Sequence, residues 1–298
     1  MWLKIAFLLA ILWYLISRVD TKRLWECLFS LNLFWILLNI FISIIGLWLL
    51  SLRWKILLLG LGYKKPSIKS LFCYNLLGAF YSLFIPTQIS NEVARGVKLY
   101  KDIESKADVG ISILLDRLIG IISLIIIAII STLIVSPVFF GNNLLLKMAF
   151  LGMAVISGFF LILNMPFFKR FSGSLSLLKK ENPWLIFLSF TLSIITQLFG
   201  ILGTLLVLKS LDVRLSFFTI GFISSLAILS MLIPISVGGI SLREGAYLIL
   251  FEQFGIAREK AFILTGVIFG ISFFFGIAGG IIEIGRGGWD AIRLKGKI

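Results

Sequence analysis

Long apolar runs alternate with short polar connections along the whole chain. A helix needs about 20 apolar residues to cross the hydrocarbon core of a bilayer. Apolar runs that predict complete transmembrane helices cover 2–17, 31–52, 109–135, 144–168, 183–208 and 257–284. The pattern therefore predicts an all-α polytopic membrane protein with about six full spans.

Two further apolar runs each end at a proline, and each is followed by a shorter helical pattern that carries charge. The first pair covers 67–86 and 91–100, and the second covers 215–234 and 241–254. Proline removes a backbone donor and interrupts a helix, so we interpret each pair as two arms of a re-entrant or broken-helix hairpin. The predicted breaks lie at Pro86, Pro234, Gly238 and Gly239.

The two halves of the chain follow one plan: helix, helix, proline-broken pair, helix. Three complete spans in each half is an odd number, so the second half is expected to be inverted relative to the first. We predict one integral membrane domain, 1–298, made of inverted repeats 1–138 and 142–298. Such repeats with discontinuous helices are typical of transporters, whose sites lie at the repeat interface. The aligned positions are Ala79, Ser82, Ile85 and Pro86 with Ala227, Ser230, Ile233 and Pro234.

Composition supports a membrane location. Charged residues make up 14% of the chain, against roughly 25% in soluble domains, and the mean hydropathy is +1.08. The net charge of +14 is interpreted as basic loops that meet anionic lipid headgroups rather than as nucleic-acid binding. Of the 28 Lys and Arg residues, 18 fall on one predicted side and nine on the other. This bias places both termini in the cytoplasm, with the chain in the cell membrane.

Each of the two breaks is followed by a pair of ionisable residues, one arginine and one glutamate. Arg243 and Glu244 follow the Gly-Gly break, and Glu92 and Arg95 follow the first proline. An arginine near a helix amino-terminus is suited to binding a phosphate or a carboxylate. These four residues are therefore candidate headgroup-binding residues; the alternative is that both arginines are interfacial anchors with local acidic partners.

A third ionisable pair, Asp116 and Arg117, lies inside the predicted span 109–135. Charges there are costly unless they face the protein interior and find partners. Asp116 could orient Arg95 or hold a cationic group, and Arg117 could contribute to a phosphate site. The structural alternative is a buried ion pair that fixes helix packing, or an Arg117 side chain that reaches the cytoplasmic surface.

Signals for catalysis or for a cofactor are weak. The chain has no histidine and only two cysteines, so we predict neither a metal site nor a disulfide framework. No Walker loop, zinc motif or nucleophile elbow occurs. The early outer loop, 18–30, offers only Asp20 and Glu26 as acidic residues. We predict no cofactor and no enzymatic activity.

Three sequence segments resemble the lysylphosphatidylglycerol synthase transmembrane region, a family also called flippase-like. They are the stretch 232–245 with its Gly-Gly and Arg-Glu-Gly elements, the Asp-Arg-Leu of 116–118 followed by Gly120, and residues 92–96. The resemblance implies about eight membrane segments with re-entrant helices. It also implies movement of phospholipids or lipid-linked sugars between leaflets, with Glu92, Arg95, Asp116, Arg117, Arg243 and Glu244 in contact with lipid.

The chain departs from the family in two respects. The first break reads Thr-Gln-Ile-Ser-Asn at 87–91, where members usually have glycine, so the geometry of the first hairpin is open. The soluble aminoacyltransferase domain of the bacterial multiple peptide resistance factor is not seen, and synthesis of lysyl-lipid by this chain alone is not expected.

The leading hypothesis is a lipid translocase without a motor, whose partners are membrane lipids. Arg95 and Arg243 would hold the headgroup phosphate between the inverted halves. The alternatives are a membrane enzyme acting on polyprenyl-phosphate sugars, a secondary transporter of a small solute or ion, and a non-catalytic subunit that assists a lipid-modifying enzyme.

Overall fold

The computed structural model describes six segments of the chain: residues 20–84, 89–103, 105–139, 183–231, 236–237 and 240–285. The predicted spans 2–17 and 144–168 lie outside them. So do the four predicted break residues, Pro86, Pro234, Gly238 and Gly239.

Nine α-helices occupy most of the described residues. In chain order they are α1 (Thr21–Phe29), α2 (Leu33–Gly60), α3 (Ile68–Phe84), α4 (Ile89–Leu99), α5 (Lys106–Phe139), α6 (Pro183–Ser210), α7 (Phe217–Ser230), α8 (Leu242–Gln253) and α9 (Arg258–Gly285).

Four of these helices, α2, α5, α6 and α9, are long and apolar enough to cross a membrane. Three of them begin and end within four residues of the predicted spans. Helix α2 differs, because it continues eight residues past the predicted end at position 52. The continuation carries Arg53 and Trp54, both of which are buried. The predicted span stopped before Arg53 because a charge normally ends an apolar run. The helix instead continues and buries this charge in the protein interior.

The loop predicted at 18–30 is also partly helical. Helix α1 occupies most of it, and the Asp20 carboxylate accepts hydrogen bonds from the backbone N–H groups of Lys22 and Arg23. Asp20 is thus an N-cap that satisfies two donors the first turn leaves unpaired. Its carboxylate therefore has a structural role at the start of α1.

Both predicted proline-broken pairs are helical hairpins. Helix α3 packs against α4, and α7 packs against α8. The first hairpin is tight at Gly78, where an added Cβ would overlap the side-chain amide of Asn91. The second contains an element that the sequence did not predict: β1 (Ser236–Val237) pairs in antiparallel fashion with β2 (Ile240–Ser241), directly before α8.

The helix contacts are matched between the two halves of the chain. Helix α2 packs most extensively on α6, its counterpart in the predicted repeat. Helix α3 packs on α9, and its counterpart α7 packs on α5. Exchanging α2 with α6, α3 with α7, α4 with α8 and α5 with α9 therefore preserves the main contacts. The inverted repeat itself stays a prediction.

One end of the helix bundle, here called end A, contains the start of α2, the end of α6 and the start of α9. The Asn32 N–H donates to the Ser210 carbonyl at 2.9 Å, and the Lys260 ammonium donates to the Leu211 carbonyl at 3.2 Å. The outer ends of α7 and α8 adjoin these residues, because Phe254 and neighbouring apolar side chains join the same buried cluster as Leu211.

The opposite end, end B, contains the outer ends of the first hairpin. The Tyr63 hydroxyl donates to Asp108 at 2.6 Å, and the Tyr74 hydroxyl donates to Asp102 at 2.8 Å. The first bond joins the segment after α2 to the start of α5, and the second joins the first half of α3 to the residues just after α4. The bond to Asp108, aided by burial, raises the pKa of the Tyr63 phenol. The two hairpins therefore open toward opposite ends of the bundle.

Small residues allow α9 to approach α3 closely. An added Cβ at Gly276, Gly279 or Gly280 would overlap Leu83, the Leu76 carbonyl or Phe80, respectively. The three glycines are therefore close-packing positions, as is common where membrane helices meet.

Candidate functional site

Two adjoining cavities lie inside the bundle. The larger has a volume of about 450 Å³ and the smaller about 220 Å³. They have four lining residues in common: Leu50, Leu124, Gln197 and Ile228. Because the walls are shared, a ligand in one cavity would lie next to the other.

Asp116 on α5 is the centre of the charged network in the smaller cavity. Its Oδ1 accepts from Arg53 Nε at 2.8 Å, and its Oδ2 accepts from Arg95 Nη2 at 3.0 Å. Arg53 also donates through Nη1 to the Ser193 hydroxyl at 2.7 Å. Asp116 is only 2% exposed and Arg95 only 7%. One carboxylate thus connects α2 and α4, and Arg53 extends the network to α6.

Arg95 is further positioned by an aromatic ring. Its guanidinium carbon lies 4.0 Å from the centroid of the Trp54 ring. The Trp54 indole N–H donates to the Ser112 hydroxyl at 3.3 Å, which fixes the ring. A guanidinium over an indole face gains cation–π attraction, and more so when water is excluded. Arg95 is therefore held in one orientation by a charge and a ring together.

Arg117 and Glu92 form a separate pair at the more open side of the smaller cavity. The Arg117 Nη1 to Glu92 Oε1 distance is 2.9 Å, and both side chains are partly exposed. Asp116 and Arg117 are adjacent on α5 yet bind different partners, because neighbouring residues on a helix point about 100° apart. Asp116 therefore makes the buried ion pair between helices that the structural alternative described, but with Arg53 and Arg95 rather than with Arg117.

Polar capacity in the smaller cavity is not fully used. Two atoms of its lining residues, Glu92 Oε2 and Arg95 Nε, are buried and have no hydrogen-bond partner within the described residues. The described lining contains three guanidinium groups, from Arg53, Arg95 and Arg117, and two carboxylates. One positive charge is therefore left over, which favours an anion.

Arg243 lies in the larger cavity. Its Nε donates to Glu244 Oε1 at 2.8 Å, and its Nη2 donates to the Ser272 hydroxyl at 3.3 Å. Glu244 is 7% exposed. The structure thus places Arg95 and Arg243 in different, adjoining cavities rather than in one chamber.

Sequence reasoning missed two members of the network, Arg53 and Ser193. The predicted span 31–52 ended just before Arg53, and Ser193 is one of many serines in apolar runs. A signal for Arg53 existed: a carboxylate inside a span requires a cationic partner, and Arg53 ends an adjacent span. Glu283, near the end of α9, also has partners, because it accepts from Lys98 at 2.6 Å and from the Tyr81 hydroxyl at 3.1 Å.

Comparison with known proteins agrees with the membrane architecture. No curated protein and no solved structure is significantly similar to the chain. The sequence pattern of the family described as "Lysylphosphatidylglycerol synthase TM region" matches residues 1–280. Since the match covers nearly the whole chain, this membrane protein belongs to the lysylphosphatidylglycerol synthase transmembrane-region family.

Proposed function

We propose that this protein is a lipid translocase that moves a phosphate-bearing lipid headgroup between leaflets. Family membership indicates a membrane lipid-related function. The finer proposal rests on one observation: two adjoining cavities lie between apolar helices long enough to cross a membrane, and the smaller cavity has a surplus guanidinium charge.

The cavities would act by lowering the cost of bringing a charged headgroup into the membrane. A phosphate without partners is strongly disfavoured in hydrocarbon. Pre-positioned guanidinium groups replace part of its hydration, and the acyl chains would stay in the bilayer. In the empty protein, Asp116, Glu92 and Glu244 neutralise Arg95, Arg117 and Arg243 through the ion pairs described above.

The route would run from the partly exposed Arg117 and Glu92 pair, past Arg95, to Arg243. Gln197 lies in the wall between the cavities, and its amide donates to the Gly120 carbonyl at 3.5 Å, a long and weak bond. A headgroup could accept a hydrogen bond from the Gln197 amide in place of the Gly120 carbonyl. Gln197 is therefore the residue that a headgroup would pass between the two arginines.

Inverted repeats would explain how one route serves both leaflets. The matched helix contacts and the hairpins that open toward opposite ends support this arrangement. End B carries the basic connections around 61–69 and 100–106 and would be cytoplasmic, as would both termini. The sequence contains no nucleotide-binding motif, so we propose downhill or ion-coupled movement.

The test is headgroup translocation in liposomes. Purified protein is reconstituted with a trace of acyl-labelled fluorescent phospholipid, and dithionite bleaching reports how fast the label leaves the inner leaflet. Faster loss than in protein-free liposomes is expected. If the rates are equal over a range of anionic and zwitterionic lipids, the proposal is wrong. Sugar transfer from a radiolabelled polyprenyl-phosphate donor would instead favour a membrane enzyme.

A further inference from the structure

Glu92 and Arg95 line the smaller cavity from one face of α4, about one helical turn apart. Each has one buried polar atom without a hydrogen-bond partner within the described residues: the carboxylate oxygen Oε2 of Glu92 and the Nε of Arg95. The carboxylate oxygen accepts hydrogen bonds and the guanidinium nitrogen donates them. A ligand at this place therefore satisfies both atoms only if it brings an acceptor and a donor together.

An ionised phosphodiester brings acceptors alone. An anion oxygen that accepts from Arg95 Nε would lie close to Glu92 Oε2, and two acceptor oxygens would then face each other without a hydrogen between them. Like charges that share a site raise the proton affinity of the carboxylate. The surplus positive charge of the cavity attracts the anion, but a proton between the two oxygens is what turns their repulsion into an O–H···O bond.

Of the two carboxylates in the described lining, Glu92 is better placed than Asp116 to take this proton. Asp116 uses both of its oxygens, on Arg53 and Arg95, and it keeps Arg53 if Arg95 turns to a ligand. Glu92 is paired through Oε1 with Arg117, a guanidinium that an anion also attracts. The Glu92 side chain is partly exposed, so a proton from water has access to it, whereas Asp116 is buried.

The proton affinity of Glu92 depends on the guanidinium groups around it. Among the described residues, the charged groups that act on Glu92 or line the same cavity are Arg117 and Asp116 on α5, Arg95 on α4 and Arg53 on α2. Lys98 and Glu283 bind each other closer to end B. The other titratable side chains on the helices packed against α4 are absent from the cavity lining: Lys69, Cys73, Tyr74 and Tyr81 on α3, and Lys106 and Asp108 on α5.

We propose that Glu92 takes up a proton when an anion binds in the smaller cavity, so that the anion and a proton move through the membrane together. The inference rests on the proposed function and names its coupling ion. The proton comes from water on the side to which the cavity is open and bonds to Glu92 Oε2. When the anion leaves, Glu92 pairs again with Arg117 and releases the proton on the side that the anion has reached. Because linkage is reciprocal, a lower pH strengthens anion binding.

The experiment asks whether a pH gradient drives a lipid into one leaflet. Proteoliposomes contain a trace of acyl-labelled phosphatidylglycerol, whose phosphodiester stays ionised and carries no proton of its own. The interior is more alkaline by about one pH unit, and potassium with valinomycin holds the membrane potential at zero. Dithionite then reports the label in each leaflet. We expect an excess of up to about tenfold in the inner leaflet, the limit for one proton per lipid. This end point does not depend on the orientation of the protein.

Variants test the assignment to Glu92. Glu92→Gln removes the titratable group, so any label that moves should distribute evenly between the leaflets. Glu252→Gln is the matched control, because Glu252 also pairs with an arginine, Arg258, but outside both cavities, and it should keep the excess. A persisting excess in well-folded Glu92→Gln protein would overturn the assignment. If that variant does not elute as monodisperse protein, Glu92→Asp, which keeps a titratable carboxylate, is required to retain the excess.

The outcomes separate this inference from the proposed function. Label that distributes evenly under the gradient, yet moves faster than in protein-free liposomes, would overturn the proton coupling and leave translocation standing. No lipid movement above background would overturn the proposed function. Gradient-driven accumulation of radiolabelled dimethyl phosphate, a soluble phosphodiester, that requires Glu92 and occurs without lipid movement would support the coupling and overturn lipid translocation.

Discussion

Arg53 on α2 and Asp116 on α5 form a buried ion pair, with 2.8 Å between Nε and Oδ1. The same carboxylate binds Arg95 on α4 through its other oxygen. A single acidic residue thus neutralises part of the charge of two buried arginines. The one carboxylate positions both guanidinium groups, and because it carries a single negative charge, the smaller cavity keeps a net positive charge.

Removing the shared carboxylate should strongly destabilise the protein. Asp116→Asn leaves two buried guanidinium groups without their counter-ion, and we expect a loss of about 3–5 kcal/mol of unfolding free energy. Thermal unfolding in detergent measures it. The control is Asp212→Asn, whose carboxylate lies on the surface near Arg214 and should leave Tm unchanged. Equal Tm values for the two variants would contradict the proposed network.

Glycine at position 279 should be required for contact between α9 and α3. Gly279→Ala places a methyl group onto the Leu76 carbonyl, and the helices must separate, at a cost of about 1–3 kcal/mol. Gly270→Ala in the same helix meets nothing within 4 Å and should be neutral or slightly stabilising. Unfolding temperatures of the two variants test this; a stable Gly279→Ala protein would show that the helices are not so close.

The Lys98 and Glu283 pair should couple the first hairpin to the last span. Reversing either charge places like charges together in a partly buried position, so Lys98→Glu and Glu283→Lys should each lower stability. The double exchange should recover about 0.5–3 kcal/mol relative to the sum of the single changes. A double-mutant cycle of unfolding free energies gives the coupling, and a value of zero would argue against the contact.

The packing of α2 against α6 can be tested by cross-linking. A Cβ on Gly46 would lie 3.9 Å from that of Phe199, within the range for a disulfide. We expect Gly46→Cys with Phe199→Cys to form one on mild oxidation, after Cys27 and Cys73 are changed to serine. Mass spectrometry of the digested protein identifies the bond. Gly110→Cys with Phe199→Cys is the control that should not cross-link.

Much of the fold follows from the sequence, because apolar run length determines which helices cross the bilayer. The ends of α5, α6 and α9 differ from the predictions by at most four residues. Helix α2 ran past its predicted end because a charge can be buried when a distant residue compensates it. The partner of Arg53 lies 63 residues away, and hydropathy carries no information about that contact.

The candidate site was predicted by residue type more than by arrangement. Charges inside apolar runs indicated Asp116 and Arg117, and the repeated motifs indicated Arg95 and Arg243. Their division between two cavities depends on how α4, α7 and α8 pack, which the sequence pattern does not specify. The polar lining around Ser225 in the larger cavity could not be predicted from the sequence either, because serine in a membrane helix usually bonds its own backbone.

The rate at which a headgroup crosses liposomes containing Arg243→Ala protein tests lipid translocation most directly. Arg243→Ala should slow translocation by about tenfold or more, the value of a lost charge-assisted hydrogen bond. Arg243→Ala with Glu244→Ala, which avoids an unpaired carboxylate, should be equally slow, and Arg214→Ala, whose side chain is 91% exposed, should match the wild type. Wild-type rates in the folded Arg243 variants would contradict a role for this cavity in moving lipid.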